Sequence, residues 1–66
     1  MKQGIIREFD RQKFFGFIEL DGEPDIFFHG NDVEPKWRTS LGVGDIVQFN
    51  VATDIKGLKA IKIRKV

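Results

Sequence analysis

Short runs of β-branched and aromatic residues recur along this chain, with glycine, aspartate, asparagine and proline falling between them. That rhythm predicts strands joined by turns. It is cleanest in the second half, where Val47, Phe49 and Val51 alternate with Gln48 and Asn50, and Ile61 and Ile63 alternate with Lys62 and Arg64. Alternation with a period of two sends one set of side chains inward and the other to solvent. Five strands are predicted, at about residues 2–10, 14–20, 25–29, 45–53 and 58–66. Asp21-Gly22 marks a tight turn between the second and third. Residues 30–44, which include Pro35, form a long connection with room for one short helical turn. The expected core is Ile18, Ile26, Phe28, Val47, Phe49, Val51, Ile61 and Ile63. The first strand has no clean face, because Ile5 and Ile6 are adjacent and so are Glu8 and Phe9; a bulge would resolve this. Five short strands in one small domain must manage their edges, and closure into an all-β barrel does so.

The core assignment has a consequence for the opposite face. With Ile18 inward, Phe17 and Phe15 point outward, and Gly16 between them points inward. With Ile26 and Phe28 inward, Phe27 and His29 point outward. The hairpin through Asp21-Gly22 sets these two strands side by side, so three phenylalanines and a histidine share one open face. An aromatic patch of that kind marks a binding surface. Flat rings in a row suit stacked bases, each worth about 1–3 kcal/mol. Arg7 and Lys13 are placed to meet phosphates. Two blander arrangements would also account for the rings. One is a sandwich buried on both faces, for which the chain is too short; the second is an oligomer that covers the aromatic face.

The bulk properties narrow the field. Sixty-six residues make one domain, residues 1–66. There is no cysteine, hence no disulfide and no thiolate metal site. One histidine and ten scattered carboxylates do not suggest a metal cage. No apolar run approaches the roughly 20 residues of a membrane span, and the N-terminus lacks the features of a signal peptide. A soluble, cytoplasmic protein without a cofactor is expected. Net charge is only +1, a weak pointer to a polyanion. Its distribution is uneven: residues 1–35 carry four bases and eight acids, and residues 36–66 carry seven bases and two acids.

Lys13-Phe14-Phe15-Gly16-Phe17-Ile18, followed eight residues later by Ile26-Phe27-Phe28-His29, resembles the paired ribonucleoprotein-type motifs of the cold-shock domain. The resemblance covers nearly the whole chain, with Gly4, Ile6, Arg7, Phe9, Asp25, Leu41, Gly44, Val47, Phe49, Gly57 and Ala60 also where that family places such residues. It implies a five-stranded antiparallel OB-fold barrel that binds single-stranded RNA or DNA with little sequence selectivity, as a nucleic-acid chaperone. The contact residues it implies are Arg7, Lys13, Phe15, Phe17, Asp25, Phe27 and His29, and Lys56 lies in a loop that borders the site in the family. The chain also departs from the pattern. The family usually has glycine at Phe14, tryptophan at Glu8, asparagine at Asp10, and aromatics at Gly30 and Arg38. Glu8 reads first as a solvated strand residue and second as an acceptor for a base amino group.

Several residues keep two readings. Trp37 either folds over the platform as a stacking group or plugs the barrel end beneath the long connection. Arg38 either binds phosphate or is solvated. Lys59, Lys62, Arg64 and Lys65 are the solvated face of the fifth strand, or a secondary phosphate track. Catalysis is not expected: a general base needs a partner and an orienting group, His29 has only Asp25 and Asp10 as candidates, and Ser40, Thr39 and Thr53 have no neighbouring base in sequence. The competing function is a protein-interaction or self-association module using the same aromatic face. A monomer is expected, with a dimer through that face as the alternative.

Overall fold

The computed structural model describes residues 1–66. The apolar runs become five strands: β1 (Lys2–Asp10), β2 (Phe15–Leu20), β3 (Glu23–His29), β4 (Ile46–Asp54) and β5 (Gly57–Lys65). Two single 3-10 turns, Gly30–Asp32 and Pro35–Trp37, interrupt the β3–β4 connection. Proline opens the second, where a missing N–H costs nothing. The strands close into a barrel in the order β1-β2-β3-β5-β4, with β4 returning to β1. Four pairings are antiparallel. The closing seam, β3 with β5, is parallel and brings Phe27 opposite Lys59.

Bulges in β1 and β5, with a further register slip in the β2–β3 pairing, decide which side chains face inward. In β1, Ile6 lies opposite Ile18 but Glu8 lies opposite Phe17, so Arg7 is the extra residue. The slip lets Gly4 and Ile6 face inward before it and Phe9 pack against the core after it, while Ile5 stays exposed. This is the bulge that the broken pattern of strand one predicts. The second, in β5, departs from the expected alternation. Gln48 lies opposite Arg64 and Asn50 opposite Ile61, so β5 advances three residues while β4 advances two. Lys62 takes a left-handed φ of 51° at this point. Ala60 and Ile63 are therefore the buried residues, and Ile61, expected in the core, is half-exposed outside it. Strict alternation fails there because an inserted residue reverses the faces.

Ile18, Ile26, Phe28, Val47, Phe49 and Ile63 are buried as expected, and Val51 is half-buried against them. Ile6, Leu20, Val33, Leu41 and Ala60 complete the core. Val33 and Leu41 come from the long connection, which thereby closes one end of the barrel. Phe28 and Phe49 are the largest fully buried side chains. Truncating either to alanine costs about 3–5 kcal/mol, against a total stability of roughly 3–10 kcal/mol for a chain of this size.

Strand ends differ from expectation by one or two residues. β2 begins at Phe15 rather than Phe14 because Phe14 still belongs to the turn: its φ is 59° and its N–H donates to the Asp10 carbonyl at 2.7 Å. β3 extends back to Glu23 through Pro24, with a register slip between Ile18 and Leu20 that accommodates the proline.

Candidate nucleic-acid interface

The hairpin β2–β3 sets Phe15 opposite His29 and Phe17 opposite Phe27. Directly opposed residues share a face and touch. The Phe15 and Phe27 rings lie 5.7 Å apart at 38°, and Phe17 and Phe27 lie 5.9 Å apart at 72°. Phe27 is exposed, and Phe15, Phe17 and His29 are half-exposed. Beneath them Gly16 is buried, and a Cβ there would overlap the Glu8 carbonyl oxygen. The platform strand can therefore press against β1 only because residue 16 has no side chain.

His29 is oriented by its own connection. Its Nδ1 accepts from the Asn31 N–H at 3.1 Å, which leaves Nε2 to carry the proton of the neutral ring. Asp25 accepts instead from the Arg7 guanidinium, and Asp10 accepts from the backbone N–H groups of Gln12 and Lys13 at 2.9 and 3.1 Å. The Asp25 and Asp10 carboxylates are thus engaged by Arg7 and by backbone N–H groups, and the His29 bond runs to the Asn31 N–H. The Asp10 bonds shape the turn that presents Lys13 to solvent.

The cations divide into free and engaged groups. Lys13 and Lys56 are exposed and lack an ion-pair partner. Arg7 is exposed but paired with Asp25, which offsets part of its charge. Arg38 is held by the loop: its Nε donates to the Val33 carbonyl at 2.9 Å and its Nη2 to the Asn31 carbonyl at 2.8 Å. Arg11 acts likewise, donating to the carbonyls of Arg38 and Leu41. Arg11, from the β1–β2 turn, ties the connection to the barrel, and Arg38 braces the connection internally. Trp37 packs against the core with Lys36 over its ring at 4.9 Å. Of its two readings, that packing fits the plug beneath the connection.

Lys56 reaches the platform through a groove of about 620 Å³ between the end of β3 and the β4–β5 turn. Phe27, His29, Lys56, Leu58 and Lys59 line it, with Asp32 at the rim pairing with Lys59 at 3.5 Å. Sequence reasoning did not assign Asp32 or Leu58 to the site. Leu58 is largely exposed, and only the parallel seam shows that β5 lies beside Phe27. Glu8, opposite Phe17 and exposed, stands beside the platform.

Residues 2–66 match the family described as the "cold-shock" DNA-binding domain. Curated relatives include proteins named cold shock protein CspA from Staphylococcus saprophyticus, Staphylococcus epidermidis and Staphylococcus aureus, each 38% identical over 65 residues, covering 98% of both chains.

Proposed function

The chain belongs to the cold-shock DNA-binding domain family, and from that premise we propose that it binds single-stranded RNA or DNA by stacking bases on Phe15, Phe17 and Phe27. The observation that carries this reading is the contiguity of the three rings on one open face of β2 and β3. Every base has a π-face, so stacking of this kind discriminates little between sequences. Binding unpaired strands in this way opposes duplex formation, which is the action of a nucleic-acid chaperone. The role is non-catalytic and cytoplasmic, the protein acts as a monomer, and no cofactor takes part.

Phosphates are met by Lys13 at one end of the platform and Lys56 across the groove. Arg7 and Asp25 act as a pair, the guanidinium donating to phosphate or base while the carboxylate accepts from base amino groups. His29 offers a ring face and its Nε2 proton. With two unpaired lysines beside the platform, the electrostatic share is small. The slope of log K against log salt is about −1.4 if both neutralise a phosphate on a single strand.

The test is fluorescence anisotropy of a labelled ten-nucleotide single strand, titrated at several salt concentrations. The expected result is saturable binding that weakens with salt and is lost in a folded Phe15→Ala, Phe17→Ala, Phe27→Ala protein. Undiminished binding by that variant overturns the platform. Absence of binding with self-association that strengthens with salt would assign the face to protein contact instead.

A further inference from the structure

Phe14 adopts a backbone conformation that L residues avoid, with φ at 59°. Strain of this kind persists only where the surroundings over-determine it, and four contacts do so. Its N–H donates to the Asp10 carbonyl and its carbonyl accepts from the Gly30 N–H, both at 2.7 Å. Its ring stacks on Phe9 at 6.0 Å and 29°, and stands perpendicular to His29 at 5.8 Å and 84°.

Gly30 completes the arrangement. It sits in a 3-10 turn and has no left-handed φ to demand glycine. A Cβ built there, however, would lie 2.5 Å from three carbons of the Phe14 ring. The Phe14 ring thus fills the volume that any side chain at residue 30 would enter. Positions 14 and 30 address one space from two turns, the one before β2 and the one after β3, and only one of them can carry a side chain. The ring is half-exposed, as are Phe15 and Phe17.

We propose that Phe14 is itself a base-contacting residue, forming with His29 a corner that receives one base at the end of the platform. The proposal rests on the nucleic-acid reading above. Two rings at 84° make a floor and a wall: a base stacked on one presents its edge to the other, and both geometries are favourable between aromatic groups. The Asn31 bond to Nδ1 keeps the imidazole still, so the corner is preorganised. One nucleotide is consequently held on two sides, whereas bases on Phe15, Phe17 and Phe27 are held on one.

The same anisotropy titration tests this with Phe14→Leu, which keeps bulk against Phe9 and Gly30 but removes the aromatic plane. Folded Phe14→Leu is expected to bind about fivefold more weakly or worse, the lower bound for one base stack, with the salt slope unchanged because no charge is lost. The double variant Phe14→Gly, Gly30→Phe returns a ring to the same volume from the 3-10 turn after β3 and is expected to recover most of the loss. Wild-type affinity in folded Phe14→Leu, beside a Phe15/Phe17/Phe27 variant that has lost binding, overturns the corner and leaves the platform standing. Absence of binding by the wild-type protein overturns both. Should Phe14→Leu fail to fold, the wild-type complex decides: nuclear Overhauser contacts between Phe14 ring protons and a bound base support the corner, and their absence overturns it.

Discussion

Glu8 offers a way to strengthen the interface, and the gain can be worked out from its position. It lies opposite Phe17 across β1–β2 and is exposed, so its carboxylate stands beside an aromatic plane where strands are expected to run. Glu8→Trp changes two things. It removes a negative charge: at a separation of about 8 Å from a phosphate, repulsion in water is about 0.5 kcal/mol, reduced to about 0.2 kcal/mol by screening at roughly 0.15 M salt. It also adds an indole face next to Phe17, worth about 1–3 kcal/mol if a base stacks on it. Together these predict a Kd lower by roughly 10- to 200-fold at physiological salt. Glu8→Gln isolates the charge effect, about twofold at roughly 10 mM salt and about 1.4-fold at roughly 0.15 M. Both variants should keep their thermal midpoints, since substitutions at exposed sites rarely change stability by more than about 0.5 kcal/mol. The assay is anisotropy with the ten-nucleotide strand at both salt concentrations. A folded Glu8→Trp protein that binds no better than Glu8→Gln would refute the reasoning, because no base would then reach the plane beside Phe17.

Two further predictions concern the barrel. Gly16→Ala forces a Cβ onto the Glu8 carbonyl and to within 2.9 Å of the Phe28 ring. At about 2–3 kcal/mol for overpacking, the thermal midpoint followed by circular dichroism should fall by about 10–20 °C; an unchanged midpoint would mean the strands do not approach so closely. Lys62→Gly should do the opposite, because it relieves a left-handed φ of 51°. A gain of about 1 kcal/mol raises the midpoint by about 4–8 °C, and a fall would argue against the β5 bulge.

Period-two alternation suffices to place Phe15, Phe17 and Phe27 outward, because each sits on a strand whose inward residues are plainly apolar. It does not suffice in β5. Nothing in Ala60-Ile61-Lys62-Ile63 announces an extra residue, and Ile61 satisfies the pattern better than the small Ala60 that is buried in its stead. The arginines are illegible for a different reason. Arg11 and Arg38 bond to carbonyls of residues 31–41, and such partners exist only once the connection has folded over the barrel end. Trp37 cannot be placed by type, since an indole suits a platform and a plug equally. Phe14 and Gly30, taken singly, are two departures from a family pattern. Their relation is out of reach of the sequence, because a two-residue turn at Asp21-Gly22 continues the Leu20–Glu23 pairing to Phe15 opposite Phe28, and only the slip between Ile18 and Leu20 sets Phe15 opposite His29 and lets the Gly30 N–H reach the Phe14 carbonyl.

The parallel seam between β3 and β5 is held by one paired position, Phe27 with Lys59, and a separate bridge joins Val33 to Ile63. Proteins open first where cross-strand bonding is thinnest, so this barrel should breathe along the seam, and amide hydrogens of residues 57–59 should exchange with solvent sooner than those of β1 and β2. A strand lying from Phe27 across the groove to Lys56 would bridge the two lips of that opening. Occupancy would then behave as a clasp: at roughly a hundredfold excess over Kd it adds about 2.7 kcal/mol to the folded state, a large share of what a 66-residue domain possesses. Cargo and container are in this sense one cooperative object, and the empty barrel is the more easily unfastened of the two.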